Sequence, residues 1–315
     1  MFEKKESFLY GRKCIIVDGL GEYDLHDTME CGQCFRFERV PNSECPVEYM
    51  IPVKDVIINV GQKQRGELLF FNTSDDVFER VAREFFALDT NLSEVKADIL
   101  SRTDSEWLKS AAECAGGIAI LKQDPWETLI SFIISQNNNI PRIRKIVREI
   151  CAEYGVNIYL QSHSAEKCPI SMIDGTPCEE KCKKCGRCYT FPAANQILDN
   201  PDGLLPSKPG FRYGYIINAA ESVVNGSVDL DMIAAARSYT HTIECLKQIK
   251  GVGDKVASCV ALFGFANLEA FPIDVWMKRA IDVYFDGKLD PTTLGRYAGV
   301  AQQYIFHYIR NIENA

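Results

Sequence analysis

Lys255 and Asp274 are the residues whose types and spacing best suit chemistry. Lys255 follows "KGVGD" and opens the run "KVASCVALFG"; Asp274 lies nineteen residues later in "FPIDVWMKRAI". A lysine amine relieved of its proton attacks an aldehydic carbon and forms a Schiff base. A carboxylate placed after a proline and before a helical run reads as an N-cap, where its charge can stabilise positive charge developing on a sugar. Cys259 comes one helical turn after Lys255, so its sulfur shares the amine's face of the helix. Gly251 and Gly253 permit a tight turn between "IECLKQI" and the second helix and leave amide N–H groups open to a phosphate. Lys255 then stands at the positive end of the helix dipole, which disfavours its protonated form, while the neighbouring Asp254 acts in the opposite sense or pairs with it. Taken singly, the glycines make a turn, the lysine is solvated and the aspartate only caps. Their order and spacing together make a helix-hairpin-helix with a nucleophile at its tip.

These residues need elements to hold them. From about Glu22 to Thr73, runs such as "EYMIPVKDVIINV" and "ELLFFNT" are rich in β-branched and aromatic residues and broken by Gly, Pro and Asn, which predicts an antiparallel sheet. At "DDVFERVAREFFAL" the period becomes helical, with Val77, Val81, Phe85 and Leu88 on one face. Nearly everything after it reads as helix. The fold class expected is α+β: an N-terminal antiparallel sheet domain with flanking helices over residues 1–104, then an all-α helix-hairpin-helix domain over 105–315, interrupted by a cysteine-rich insertion at 161–188. No fixed-period repeat suggests a solenoid.

Composition excludes some classes. The chain has 315 residues, 46% of them hydrophobic, and a net charge of -8, so it can bury a large core and does not coat polyanions indiscriminately. The start "MFEKKESFLYGRK" lacks the apolar core of a secretion signal, and no apolar run is long enough to span a bilayer. A cytoplasmic protein is expected, nucleoid-associated if prokaryotic, with no membrane partner. Thirteen cysteines then read as reduced, buried or metal-bound. Four of them, Cys178, Cys182, Cys185 and Cys188, follow C-x3-C-x2-C-x2-C, with Cys168 upstream. Four thiolates at this spacing suit a structural zinc that staples the insertion; an iron–sulfur cluster and a reduced loop without metal are the alternatives.

Beyond the hairpin, the chain resembles the eukaryotic-type 8-oxoguanine DNA glycosylase/AP lyase family of the helix-hairpin-helix-GPD superfamily. The likeness is carried, in order, by "ECGQCFRF", "FFALDTNL", "LKQDPWETLISFIISQNNNIPRI", "GFRYGYI", "GVGDKVASC", "FPIDVWM" and "YAGVAQQYIF", and covers roughly residues 10 to 310. It implies that Lys255 is the nucleophile and Asp274 the catalytic carboxylate. It implies that the carbonyl of Gly32 accepts the N7–H found only in the oxidised base, that Cys259 and Phe306 sandwich the extruded base, and that Gln302 binds its Watson–Crick edge. It implies that Asn137, Arg142 and Arg212 fill the vacated space and meet the orphaned cytosine, and that Phe211 wedges the stack where the family usually has tyrosine. Gly251 and Gly253 anchor a phosphate. Trp276 departs from a histidine that often contacts a phosphate, which puts that contact in doubt.

The activity so implied is excision of 8-oxoguanine opposite cytosine from double-stranded DNA, then strand nicking by β-elimination, with no cofactor for catalysis. A monomer is expected because one molecule wraps one flipped base. The alternatives are a glycosylase for another damaged or mismatched base, and a noncatalytic DNA-binding protein.

Overall fold

The strands form because short apolar runs alternate between two faces. In the computed structural model, which describes residues 2–158 and 186–314 (the side chains of 313 and 314 excepted), six strands make one antiparallel sheet. They are β1 (Glu3–Leu9), β2 (Arg12–Asp18), β3 (Glu38–Arg39), β4 (Val47–Val53), β5 (Val56–Gln62) and β6 (Leu68–Phe71), in the order β1-β2-β6-β5-β4-β3. Ile15, Val17, Leu68 and Phe70 point to one side, where Phe78, Val81 and Phe86 cover them. Cys14, Ile16, Leu69 and Phe71 point to the other, against Cys45. A one-residue slip would exchange the two faces, so burial on both sides fixes the register.

The sheet starts earlier than Glu22, and the apolar run 14–17 of β2 is a signal that sequence reasoning passed over. β1 and β2 precede Glu22, paired from Glu3↔Asp18 to Leu9↔Arg12, and the expected strand region contains a helix, Leu25–Glu30. The reason is chemical: β1 is an edge strand whose first four residues, Glu3 to Glu6, are charged and exposed, so it lacks the hydrophobic alternation that betrays a strand. Asp24 caps the unexpected helix by accepting from the N–H of Asp27 at 2.9 Å.

The remainder is mainly helical. Pro125–Ser135, the most apolar of these helices, lies in the middle of a second core with Asp254–Gly264 and Arg212–Val224 around it. The extended segment 118–121 stitches the two cores by alternation: Ile118 and Ile120 enter the helical core, Ala119 and Leu121 the sheet core. Val95 and Ile99 also reach the helical core. Among the described residues no helix is long and apolar enough to cross a membrane.

Candidate active site

The hairpin expected around Gly251 and Gly253 is present between helices Tyr239–Leu246 and Asp254–Gly264. Gly251 has φ +90°, and a Cβ there would overlap the ring of Tyr215; Gly253 has an ordinary φ and open space beside it. Gly253 is the N-cap, so no side chain satisfies the first amides of the second helix, which remain a place for a phosphate.

Lys255 is the second residue of that helix and half-buried. Its Nζ donates to Ser135 Oγ at 3.2 Å, and Ser135 donates its own hydrogen to the carbonyl of Phe132 at 2.8 Å. The serine oxygen is thereby turned to accept from the amine. Nζ also lies 5.2 Å from the centroid of the Phe132 ring. Phe132 stacks on Phe263 and meets Phe35 edge-on at 5.5 Å, so one aromatic ring links the amine to the segment that carries Gly32. Asp254 turns outward and pairs with Lys247 at 2.5 Å, not with the adjacent lysine. That exposed pair adds little stability but draws the carboxylate toward solvent.

Cys259 is buried one helical turn beyond Lys255. Burial pushes the Cys259 thiol up to about 11; the positive Lys255 opposes this and the negative Asp274 reinforces it. The thiol therefore stays protonated at neutral pH and does not compete with the amine as a nucleophile. Asp274 is an N-cap as expected, accepting from the N–H of Met277 at 2.9 Å. Its neighbours Ile273 and Val275 are exposed, and Trp276 packs partly against the helical core.

Gly32 and Phe306 meet. At Gly32, where φ is +88°, the Cβ position of any other residue would be 3.8 Å from Phe306 Cε1 and 3.7 Å from Ile140 Cδ1. Residues 31 to 37 are buried except Gly32, which reaches the surface. Gln302 lies four residues before Phe306 on the helix Ala298–Asn314, hence on the same face. It is buried, and its Oε1 accepts from Gln303 Nε2 at 2.6 Å. The Arg310 guanidinium stands over Phe306, 5.3 Å from the ring centroid.

The residues expected to face the opposite strand divide. Asn137 is exposed and left-handed at φ +48°, Arg142 is exposed, and Phe211 is 56% exposed, as an apolar wedge must be. Arg212 is only 4% exposed. It donates to the carbonyl of Gln136, to that of Asn137 at 2.9 Å and to that of Pro209 at 3.1 Å. Burial first, and the charge of Arg142 second, lower its pKa. In this structure Arg142 projects from the surface while Arg212 lies beneath the Asn137 turn and holds it. Gln136 Nε2 ties the same turn to the carbonyl of Gly251 at 3.1 Å.

Sequence reasoning passed over Phe132, Ser135 and Gln136, although all three lie in the quoted "LISFIISQNNN". A hydroxyl and an amide in an otherwise apolar helix end were the signal. Of the cysteine cluster only Cys188 is described, as a buried residue; Cys168, Cys178, Cys182 and Cys185 lie outside the described residues. Among the described residues no group of three or more Cys, His, Asp or Glu is placed to hold a metal.

Known DNA glycosylases resemble this chain in sequence and in fold. Residues 16–129 match the family described as 8-oxoguanine DNA glycosylase, N-terminal domain. The chain is 27% identical over 292 residues to an N-glycosylase/DNA lyase of Saccharomyces cerevisiae, covering 87% of this chain and 70% of that protein. It superposes on MBOgg1 in complex with a low-affinity DNA ligand with a TM-score of 0.81 and 29% identity over 99% of both chains. The Clostridium acetobutylicum 8-oxoguanine glycosylase/lyase, bound to double-stranded DNA containing cytosine opposite 8-oxoG, superposes with a TM-score of 0.79 and 29% identity, covering 99% of this chain and 98% of that one.

Proposed function

We propose that this chain, an N-glycosylase/DNA lyase that belongs to the 8-oxoguanine DNA glycosylase family, removes 8-oxoguanine opposite cytosine by attack of Lys255. One observation carries the reading: a half-buried amine is held by Ser135 over the Phe132 ring, one helical turn from a Cys259 thiol that burial keeps protonated. Base chemistry inside a duplex requires the nucleotide to be turned out of the stack, and Gly32 with Phe306 supplies a surface to receive it. The Gly32 carbonyl would accept N7–H from the oxidised base, whereas guanine presents a lone pair there.

In the proposed reaction Nζ forms a bond to the sugar C1′ while the N-glycosidic bond breaks, its electron pair leaving on the base. Asp274 stabilises the positive charge that develops on the sugar. Loss of a proton from nitrogen and opening of the ring give the Schiff base, and loss of a C2′ proton expels the 3′ phosphate. The open amides at Gly253 and the exposed Arg142 and Phe211 face the duplex in this reading. Zinc at Cys178, Cys182, Cys185 and Cys188 would serve only to staple residues 161–188, and a stoichiometric metal determination tests it.

The experiment is borohydride trapping on a duplex carrying one 8-oxoguanine opposite cytosine, compared with unmodified guanine and with 8-oxoguanine opposite adenine. A covalent adduct is expected with the lesion and Lys255 intact, strongest opposite cytosine, and absent with Lys255→Gln. Base release without an adduct would replace the lysine with water as nucleophile; neither release nor adduct would mean that the base removed is a different one or that the protein only binds.

A further inference from the structure

The polar side chain most completely buried beside the base-facing surface is Gln33, and the reaction described above gives it nothing to do. Its amide is fully used. Nε2 donates to the carbonyls of Thr28 at 2.9 Å and Ala119 at 2.8 Å, and Oε1 accepts from the N–H of Leu121 at 2.9 Å. The main-chain carbonyl of Gln33 accepts in turn from Gln123 Nε2 at 2.7 Å. The N–H of Gln123 donates to the carbonyl of Phe263, near the end of the helix that begins with Asp254 and Lys255. An unbroken set of hydrogen bonds therefore runs from the peptide that follows Gly32, across the extended segment between the two cores, to the lysine helix.

We infer that Gln33 and Gln123 are positioning residues that fix the Gly32 carbonyl relative to Lys255, and so set selectivity for the oxidised base. The physical need is clear. Gly32 has a backbone conformation that tolerates many alternatives, being glycine at positive φ, so nothing local holds its carbonyl in one direction. A single acceptor can distinguish N7–H from a lone pair only if it does not turn away. Gln33 removes that freedom from one side by bonding both the helix Leu25–Glu30 and the extended segment 118–121, and Gln123 clamps the next carbonyl. This inference rests on the proposed excision of 8-oxoguanine, and its test separates the two.

Two activities divide the roles. Removal of the lesion needs the base reader, whereas β-elimination at a preformed abasic site needs Lys255 but no base. Gln123→Met, which keeps the main-chain bond to Phe263, and the isosteric Gln33→Glu, which loses both donors, are compared with the wild type in single-turnover excision and in lyase assays on abasic DNA. Thermal melts confirm that each variant is folded; Gln123, being half-buried, is the variant expected to fold normally. The expected result for Gln123→Met is excision slowed about tenfold, with lyase activity within about twofold of wild type. Parallel loss of both activities would reduce the glutamines to a general structural role and overturn the inference, as would unchanged excision. A wild type that nicks abasic DNA but ignores 8-oxoguanine would overturn the proposed substrate and the inference with it.

Discussion

The Gly32 loop and the Asn137 turn flank the same lysine but are held in opposite ways. The first is interior: six of residues 31 to 37 are buried, the neutral amide of Gln33 bonds the backbone of two neighbouring segments, and that of Gln123 bonds the loop's own backbone next to Gly32; charge enters only at its far end, where Arg36 pairs with Glu127 and Arg144 donates to the carbonyl of Phe37. The second stands at the surface, with Asn137 and Arg142 in solvent, and is held from below by the charged fork of Arg212. In the proposed reaction the first tells one base from another by a single hydrogen bond from Gly32, the one residue of the loop at the surface, and the buried residues around it keep that acceptor fixed. In the same proposal the second meets phosphates and an unpaired base, for which exposed charge is suited; its support is a buried cation whose charge three backbone carbonyls share.

The most severe test of that contrast is Arg212→Met, which leaves the carbonyls of Gln136, Asn137 and Pro209 without their donor. Charged hydrogen bonds of this kind are worth about 1.5–3 kcal/mol each before relaxation, so a loss near ~3 kcal/mol is expected by urea denaturation. Arg212→Lys should recover less than about half of that, because an ammonium cannot reproduce the planar fork. Full recovery by lysine would mean that charge alone holds the turn.

Gly251→Ala comes next, at about 2 kcal/mol or more, since the new Cβ meets both a positive φ and the Tyr215 ring. Gly253→Ala, two residues on, should cost under ~1 kcal/mol, because its φ is ordinary and its surroundings open. Equal losses would show that the two glycines do the same work.

Arg142→Met should leave stability within ~0.5 kcal/mol and instead weaken DNA binding, lowering the slope of log affinity against log salt by about one. Stability loss comparable to that of Arg212→Met would place Arg142 in the scaffold.

The mildest perturbation addresses the interior. Alkylation at pH 8 followed by mass mapping should modify the exposed Cys114 quickly and leave Cys259 untouched until the protein unfolds. The folded-state value of about 11 for Cys259 lies above its ordinary value of 9.0. The stability from keeping this thiol buried is therefore intact below pH 9 and is lost as pH rises from about 9 to 11. Stability that increased over that interval would mean that the thiolate is favoured in the fold.

Much of this molecule was legible in the chain. Runs of β-branched and aromatic residues found β4, β5 and β6, helical spacing found the face of Val77, Val81 and Phe85 but also took in Leu88, which lies in the turn after the last helical residue, and the turn glycines located the hairpin. Asp274 could be read as a cap because capping is local: a carboxylate, a proline before it and a helix after it suffice. β1 escaped because a solvent-facing edge has no buried side to write into the sequence.

What the chain could not show was which partner each polar group would take. Asp254 had three nearby lysines in sequence, Lys247, Lys250 and Lys255, and folding gave it Lys247. Arg142 and Arg212 look alike as letters, yet one is exposed and the other nearly buried. Phe132, Ser135 and Lys255 meet across 120 residues of chain, as do Gly32 and Phe306 across a longer interval. Residue type and short spacing fix what a group can do and which turn or cap it makes, because those depend on neighbours a few bonds away. Which charge is buried, which amide is spent on the backbone and which glycine of a buried loop is left at the surface depend on contacts between distant segments, and only packing the sheet against the helices settles them.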